Sequence, residues 1–466
     1  MNVLKRNKLF LCLLLVALFI TSCATYYQKN ETLMKAVYDA RLEDANKILD
    51  DPKWEKRSKD ILLYYLNRGT VYWMMGNLDE SNKYFQKADY YIEDYQKNYA
   101  AKALSLITNP KVEPYPGEGF EQILLHYYTT LNYAQKGDYD AALVECKRML
   151  LQLQRITDAS KSKNKYKRDA FVHNLMGMIY DAQRDYNSAF TAYRNALEIY
   201  EEDYVKMLNT STPLQLKKDL IRTAYLTGFT EEARKYESDF GIRYEKENPA
   251  NGTLLFFWNN GMGPVKDQWS INFAIIPAGN GWVNFVNTEL GIVLPFYVGD
   301  NEQSNSLAGL KVIRVAFPKY VSRIPLYAGA TFTVDSIKGS FELAENVDAI
   351  AYRSLQDRML REMGDALLRL ATKQLAAQQV SKQDQTLGAA LSIVNAITEQ
   401  ADTRNWQLLP YSINYSRVSL PPGEHTFELK TSGTDGKSET RSFKYQVRKG
   451  QTVIGTYQTQ QFTKYQ

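Results

Sequence analysis

Apolar positions recur with a helical period through the first half of this chain and with a strand period through the second. Between about Leu62 and Tyr200, small and aromatic residues return at matching offsets along helical segments. One copy reads Gly69, Tyr72, Gly76, Ser81, Phe85, Ala88. Another reads Gly177, Tyr180, Ala189, Tyr193, Ala196, and the shared members fall 3, 12, 16 and 19 residues after the first glycine. A middle copy has Tyr133, Gly137 and Ala142, with Thr130, Cys146 and Met149 in the other positions. Its turn, Lys136-Gly137-Asp138-Tyr139-Asp140, lets a second helix fold back, and partial copies flank the run at Ala40 to Leu49 and Gly228 to Phe240.

After about Asn248 short apolar runs are separated by Gly, Asn and Pro. Leu254 to Trp258, Ile292 to Val298 and Val312 to Phe317 read as strands. Phe443, Tyr445 and Val447 alternate with Lys444, Gln446 and Arg448, which puts one face in a core and one in water. Pro421-Pro422-Gly423-Glu424 is the turn between strands at Ser412 to Ser419 and His425 to Lys430. A helical period interrupts this half, with Ile350, Leu355, Met359, Met363, Leu367 and Leu370 in a first segment and Leu387, Leu391, Val394 and Ile397 in a second. These predict two helices covering the sheet, the competing reading being an exposed amphipathic hairpin that meets a partner or membrane.

The predicted fold class is α+β multidomain, an all-α solenoid followed by a β-rich, sandwich-like domain with a helical insertion. The expected boundaries are residues 33–247 for the solenoid, 248–345 and 401–466 for the two parts of the β-rich domain, and 346–400 for the insertion.

The repeat spacing resembles that of tetratricopeptide repeats, helix-turn-helix units of about 34 residues that seat a small residue of one helix against an aromatic of the next. The resemblance implies a concave groove that receives a partner's peptide or helix. Its positions fall at Leu66, Thr70 and Trp73, at Tyr127, Leu131 and Ala134, and at Asn174, Met178 and Asp181. Trp73 and Tyr127 are the expected anchors, because aromatic residues dominate interface energetics. The alternative is that these side chains pack inside the solenoid or against the second half. Two insertions break the period: Gln96 to Gln122, with Pro110, Pro114 and Pro116, and the basic loop Ser160 to Arg168.

The head of the chain adds a location. Lys5, Arg6 and Lys8 precede an apolar stretch from Leu9 to Ile20, and Ile20-Thr21-Ser22-Cys23 resembles a lipobox. The resemblance implies a bacterial lipoprotein signal over residues 1–22, a mature chain beginning at an acylated Cys23, and a short tether over 23–32. Two or more acyl chains, at ~0.8 kcal/mol per buried methylene, make a stable anchor. The plain alternative is a secretory signal or short membrane anchor in which Cys23 has no special role. Cys23 is followed by Ala24-Thr25-Tyr26-Tyr27, with neither an adjacent Asp nor an acidic cluster. By resemblance this favours the outer membrane with the body facing the periplasm. Removing residues 1–22 lowers the formal net charge from +5 to +2, so there is no electrostatic case for a nucleic-acid partner. Of the three cysteines only Cys146 remains free, so no disulfide framework or thiol metal site is available within one chain.

Three stretches together resemble an uncharacterised family of envelope lipoproteins with repeats in front and a β-rich domain behind. They are Tyr115-Pro116-Gly117-Glu118-Gly119-Phe120-Glu121, Asn260 to Lys266, and Ala401 to Pro410 followed by Arg417 to Gly423. The resemblance implies a link to cell-wall assembly. Within the third stretch, Asp402 and Arg404 are placed to pair beside Trp406 and lock a helix-to-strand junction, or to bind a ligand.

A reaction centre is not legible. His126, His173 and His425 lack zinc-ligand spacing, and neither Gly-x-Ser-x-Gly nor a phosphate-cradling glycine loop occurs. Ser160-x-x-Lys163 lacks the companion motifs of penicillin-recognising enzymes, and Gly261-x-Gly263 ends in a turn at Pro264. No catalytic residue, metal or cofactor is assigned. The expected function is a lipid-anchored scaffold whose groove and β-rich domain hold envelope proteins or peptides, with peptidoglycan or another glycan as a further ligand. The alternative is a glycan-binding outer-membrane lipoprotein of the nutrient-uptake type, followed by an envelope hydrolase.

Overall fold

The computed structural model describes residues 30–102, 113–159, 167–383 and 401–465. The signal and Cys23, residues 160–166 of the basic loop, and the helical segment of Leu387, Leu391, Val394 and Ile397 lie outside the described residues.

The first half is a row of helix pairs: α1 (Glu31–Tyr38) with α2 (Leu42–Leu49), α3 (Ile61–Met74) with α4 (Leu78–Lys102), α5 (Gly119–Gln135) with α6 (Tyr139–Ala159), α7 (Ala170–Ala182) with α8 (Tyr186–Ile199), and α9 (Leu214–Thr227) with α10 (Thr230–Phe240). The repeat residues explain the close pairing. A Cβ on Gly177 would lie 2.5 Å from the Tyr193 ring, and one on Gly69 would lie 2.8 Å from Phe85, so each aromatic rests directly on helix backbone. In the middle pair the volumes are exchanged. Thr130 replaces the glycine and Cys146 the aromatic, and their side chains meet at 3.8 Å, both buried. Interiors tolerate such volume-conserving exchanges because total space, not residue identity, is what packing conserves.

The turns between paired helices need a left-handed residue, which is Gly76 at φ 75°, Gly137 at φ 77° and, between α7 and α8, Arg184 at φ 63°. Non-glycine residues pay a steric cost there. Arg184 donates from Nη2 to the Gly450 carbonyl at 3.0 Å, a contact to the second half that no glycine makes.

The second half holds three four-stranded sheets and a two-stranded ribbon among the described residues. The strands are β1 (Gly252–Asn260), β2 (Val265–Gly279), β3 (Trp282–Asn287), β4 (Ile292–Tyr297), β5 (Val312–Val321), β6 (Arg323–Pro325), β7 (Tyr327–Val334), β8 (Ile337–Ser340), β9 (Glu342–Asn346), β10 (Ser412–Leu420), β11 (Gly423–Gly433), β12 (Ser438–Val447), β13 (Thr452–Thr459) and β14 (Phe462–Tyr465). The sheet β13-β1-β10-β9 packs on β12-β11-β7-β8 as a sandwich. Its core includes Phe256 stacked on Phe427 with centroids 4.6 Å apart. The Pro421-Pro422 turn carries the chain from β10 in one sheet to β11 in the other.

The run Leu254 to Trp258 is continuously apolar because β1 is covered on both faces. Leu254, Phe256 and Trp258 enter the sandwich core, while Leu255 and Phe257 face the helices. A strand buried on two sides reads as an unbroken apolar run. The hydrophobic core of the helix pairs therefore continues across the change of period near Asn248, through Leu255, Phe257, Ala344, Trp406, Ile413, Tyr415 and Ile454.

The helical insertion begins with one long helix, Val347–Gln383. Ile350 and Leu355 join the core of the helix pairs, whereas Met363, Leu367 and Leu370 cover the sheet β4-β3-β2-β5. The expected covering role is seen, but the sheet covered stands outside the sandwich.

Candidate functional site

The groove positions do not line an open surface, which corrects the expectation of partner anchors there. Leu66, Thr70, Trp73, Tyr127, Leu131, Ala134, Asn174 and Met178 are all buried, and Asp181 is half-buried. The space in front of them is occupied by the chain's own second half. Tyr127 donates its hydroxyl to Asn259 of β1 at 2.8 Å and sets its ring edgewise to Phe257. Trp73 packs edgewise on Tyr128 at 5.0 Å, and Tyr128 lies 5.5 Å from Trp406. Thr70 accepts the indole N–H of Trp406 at 3.1 Å. Asp181 receives Arg222, which also pairs with Asp219, itself 3.5 Å from Arg417 of β10. The physical reason is supply: β1, β10 and β13 bring an apolar sheet face that closes the groove without any second molecule.

The three stretches that carried the family resemblance, far apart in sequence, meet at one buried junction. The proline-rich stretch turns the chain into α5, and the Glu118 N–H donates to Glu121 Oε2 at 3.0 Å, which closes the helix start. Tyr115 donates to the same oxygen at 2.8 Å, and the Trp406 N–H donates to Glu121 Oε1 at 2.6 Å. Lys266, at the start of β2, pairs with Glu118, as does Arg358 of the long helix, and Arg358 also pairs with Glu362. Asn405 holds the second stretch to the third, donating to the Pro264 carbonyl at 2.8 Å and accepting the Lys266 N–H at 3.2 Å.

Arg404 ties the third stretch to the helices. Its guanidinium is bidentate to Asp402 at 2.9 and 2.7 Å, and it donates to the carbonyls of Lys59 at 3.0 Å and Glu113 at 2.9 Å. It also lies over the Tyr115 ring at 5.3 Å. Asp402, Arg404 and Trp406 thus join the helical and β-rich halves, and all three are engaged with this chain's own residues.

The electrostatics of the junction run in opposite directions at its two carboxylates. Burial works against the Glu118 anion, yet Arg358 and Lys266 hold its carboxyl down at about 2. Burial, followed by the charge of Glu118, pushes Glu121 up to about 7 in spite of its backbone donors. Arg358 gave no signal in the sequence beyond being a charged residue in a helical period. Glu118, Glu121 and Lys266 were visible within recognisable stretches, but Lys266, Arg358 and Trp406 reach the two glutamates from more than a hundred residues away.

The histidines are dispersed. His126 contacts Glu145 at 2.7 Å, His425 contacts Asp335 at 2.7 Å, and His173 lines a depression of about 340 Å³ on α7 and α8 with Met176, Tyr180, Asn187 and Asn195. Among the described residues no group of three or more His, Cys, Asp or Glu side chains could hold a metal ion, and no helix is long and apolar enough to cross a membrane. Cys146 is buried against Thr130, and burial pushes its thiol up to about 12, so it is an inert packing residue.

One open surface remains that the sequence reading passed over: the outer face of β4-β3-β2-β5, opposite the long helix. Ile276, Trp282, Val293, Tyr297 and Val312 are exposed there, Tyr297 at 58% and Val293 at 56%. Trp282 and Tyr297 are cross-strand neighbours with ring centroids 5.6 Å apart. Arg314 is the charged side chain on this face. The alternation that marks it, Trp282, Asn284 and Val286 against Val283, Phe285 and Asn287, was present in the sequence.

A tetratricopeptide-repeat family model matches residues 63–95 and 172–203. No curated protein matches the sequence. Among solved structures the chain is similar to a MamA protein, at 12% identity over 47% of this chain and 96% of that one with a TM-score of 0.29. It is also similar to the apo form of RapI, at 14% identity over 49% of this chain and 57% of that one with a TM-score of 0.35. A third is a tetratricopeptide repeat protein from Parabacteroides merdae, at 15% identity over 47% of this chain and 80% of that one with a TM-score of 0.21.

Proposed function

We propose that this protein is a lipid-anchored scaffold of the outer membrane, facing the periplasm, that holds envelope proteins together in support of cell-wall assembly. Repeats of the tetratricopeptide type present surfaces to other proteins and carry no chemistry of their own. Here the groove is filled from within, so the partner surface is moved to the β-rich half. The observation that carries the reading is the exposed outer face of β4-β3-β2-β5, with Tyr297, Val293, Val312, Ile276 and Trp282 open to solvent. An apolar centre rich in aromatics and depleted in charge is the composition of a protein interface core. Arg314 on this face selects a partner that brings a carboxylate to an otherwise apolar patch.

The anchor is proposed from the head of the sequence, where Cys23 follows Ile20-Thr21-Ser22. Fractionation tests it: Cys23→Ser moves the protein from the washed membrane to the soluble fraction, and retention in the membrane removes the lipid anchor from the proposal. For the interface, Val293→Asp combined with Val312→Asp changes the unfolding free energy by only the small amount typical of surface substitutions, about 0.5 kcal/mol each. The same pair abolishes recovery of the protein captured by crosslinking in the native membrane. Undiminished recovery places the partner elsewhere.

The Trp282–Tyr297 pair beside Asn284 also supports the second reading, a glycan-binding lipoprotein, since pyranose rings stack on exposed aromatic faces and hydrogen-bond to amides. Retention of the purified protein on peptidoglycan or polysaccharide, lost in Trp282→Ala, selects that reading over the protein interface.

A further inference from the structure

Helix α8 does not end in an ordinary turn. It passes through one π turn, Tyr200–Tyr204, before Val205–Met207, and this widened turn brings two buried tyrosine hydroxyls to β9. Tyr200 donates to the Ala344 carbonyl at 2.7 Å. The Tyr204 hydroxyl lies 3.0 Å from Asp169 Oδ1 and 2.9 Å from Glu345 Oε2. Asp169 and Tyr204 belong to the helical half and Glu345 to the β-rich half, with exposures of 4%, 1% and 1%.

Counting hydrogens shows that one of the two carboxyls carries a proton. A tyrosine hydroxyl has one proton to give, and an ionised carboxylate has none. Asp169 Oδ1 accepts the Val172 N–H at 2.9 Å as the N-cap of α7, a position that favours the Asp169 anion, so Asp169 accepts from Tyr204. The contact between Tyr204 and Glu345 then needs its proton on Glu345 Oε2. We propose that Glu345 is held as a neutral carboxylic acid, donating to Tyr204, and that this proton is the clasp by which β9 and the long helix behind it are fastened to the helical half.

The groups facing the clasp fit that assignment. From the helical side they are Asp169, Tyr200 and Tyr204, with His173 and Arg168 next to Asp169. The Arg168 guanidinium is taken up by Glu198, Glu202 and Asp203 at 2.7, 2.6 and 2.8 Å. From the β-rich side they are Tyr415 and Glu342, the latter accepting the Gln215 N–H at 3.1 Å. Burial, then the charge of Asp169, pushes the Glu345 carboxyl well above the usual carboxylate range. A carboxyl raised on folding contributes stability that is complete below its unfolded value and is lost as pH rises through its folded value. Alkaline conditions therefore put a second negative charge against Asp169 and open the clasp.

Difference infrared spectroscopy on the full chain at about pH 7 tests this directly, since model carboxyls are ionised there. Glu121 and Asp348, pushed up to about 7 and about 6, are common to both proteins and cancel in the difference. Wild type minus Glu345→Gln should show the carbonyl band of one protonated carboxylic acid, and its absence overturns the proposal. The glutamine keeps a donor without titrating, so its melting temperature should fall less steeply than wild type on the alkaline side. Parallel profiles also overturn the proposal. Should Glu345→Gln fail to fold, Tyr204→Phe shifts the same band by removing its hydrogen-bond partner, and an unmoved band counts against the assignment.

Discussion

Replacing Trp406 by alanine lowers the unfolding free energy by about 3–5 kcal/mol, the range for removing a large aromatic from a core. Trp406 is 1% exposed, its ring lies against Tyr128 and Phe85, and its indole N–H is spent on Thr70. Every one of those partners is on the helix pairs, while Trp406 itself belongs to the segment leading into β10. Its loss therefore weakens the bond between the halves and not one half alone. Denaturant titration followed by circular dichroism reads the size of the effect as a shift in midpoint. In the wild type, helix and strand signals are expected to disappear together, and in Trp406→Ala the two transitions separate. Trp406→Phe keeps an aromatic ring and removes one hydrogen bond, since Thr70 still donates to the Leu66 carbonyl at 2.8 Å, at a cost of about 0.5–1.5 kcal/mol. A midpoint unchanged by Trp406→Ala would show that the filled groove contributes little to holding the halves together.

The second large effect is at Glu118. Glu118→Ala leaves the buried Lys266 and the half-buried Arg358 without their shared anion. Breaking a buried ion pair from one side costs about 3–5 kcal/mol, because the charge left behind stays desolvated. Arg358 retains Glu362, so Lys266 bears most of the loss. Adding Lys266→Met to the variant removes the stranded charge and recovers a large part of the stability, which a double-mutant cycle in thermal or chemical unfolding measures.

The pH dependence has two windows of opposite sign. Glu118, held down at about 2, contributes stability that is present above its unfolded value and lost as pH falls through about 2. Glu121, pushed up to about 7, contributes stability that is complete below its unfolded value and lost as pH rises through about 7. Stability of the wild type should therefore decline as pH rises from the ordinary carboxylate range to about 7 and level off above it, and that decline should shrink in Glu121→Gln.

The helical half was legible because its signals are local. Gly177 and Tyr193 are sixteen residues apart and touch, so the spacing in the sequence is the contact in the fold. Strands were legible singly, from alternation or from unbroken apolar runs. Their partners were not, since β1 pairs with β10 and β13 across 160 to 200 residues of chain. The groove failed for a related reason. An aromatic such as Tyr127 at a groove position looks the same whether it awaits a partner or meets Phe257 and Asn259 of its own chain, and only the three-dimensional arrangement decides. The stretches around Glu118, Lys266 and Trp406 could be recognised as distinctive, but nothing in their spacing says that they meet. The outer face of β4-β3-β2-β5 was overlooked because its strands alternate apolar residues inward and a mixture of Trp, Asn and Val outward, which reads as ordinary edge variation.

Closing the groove with β13 also sets a schedule for biosynthesis. The parallel pairing of Thr253 with Thr452 cannot form until some two hundred further residues have been made. At roughly 5–20 residues per second that interval is on the order of ten to forty seconds. Throughout it, the apolar concavity with Trp73, Tyr127 and Tyr128 lacks the full cover that the β-rich half later supplies. A nascent chain in that condition is a client for a holding chaperone. The same concavity that no mature partner can enter is thus the surface such a chaperone would grip.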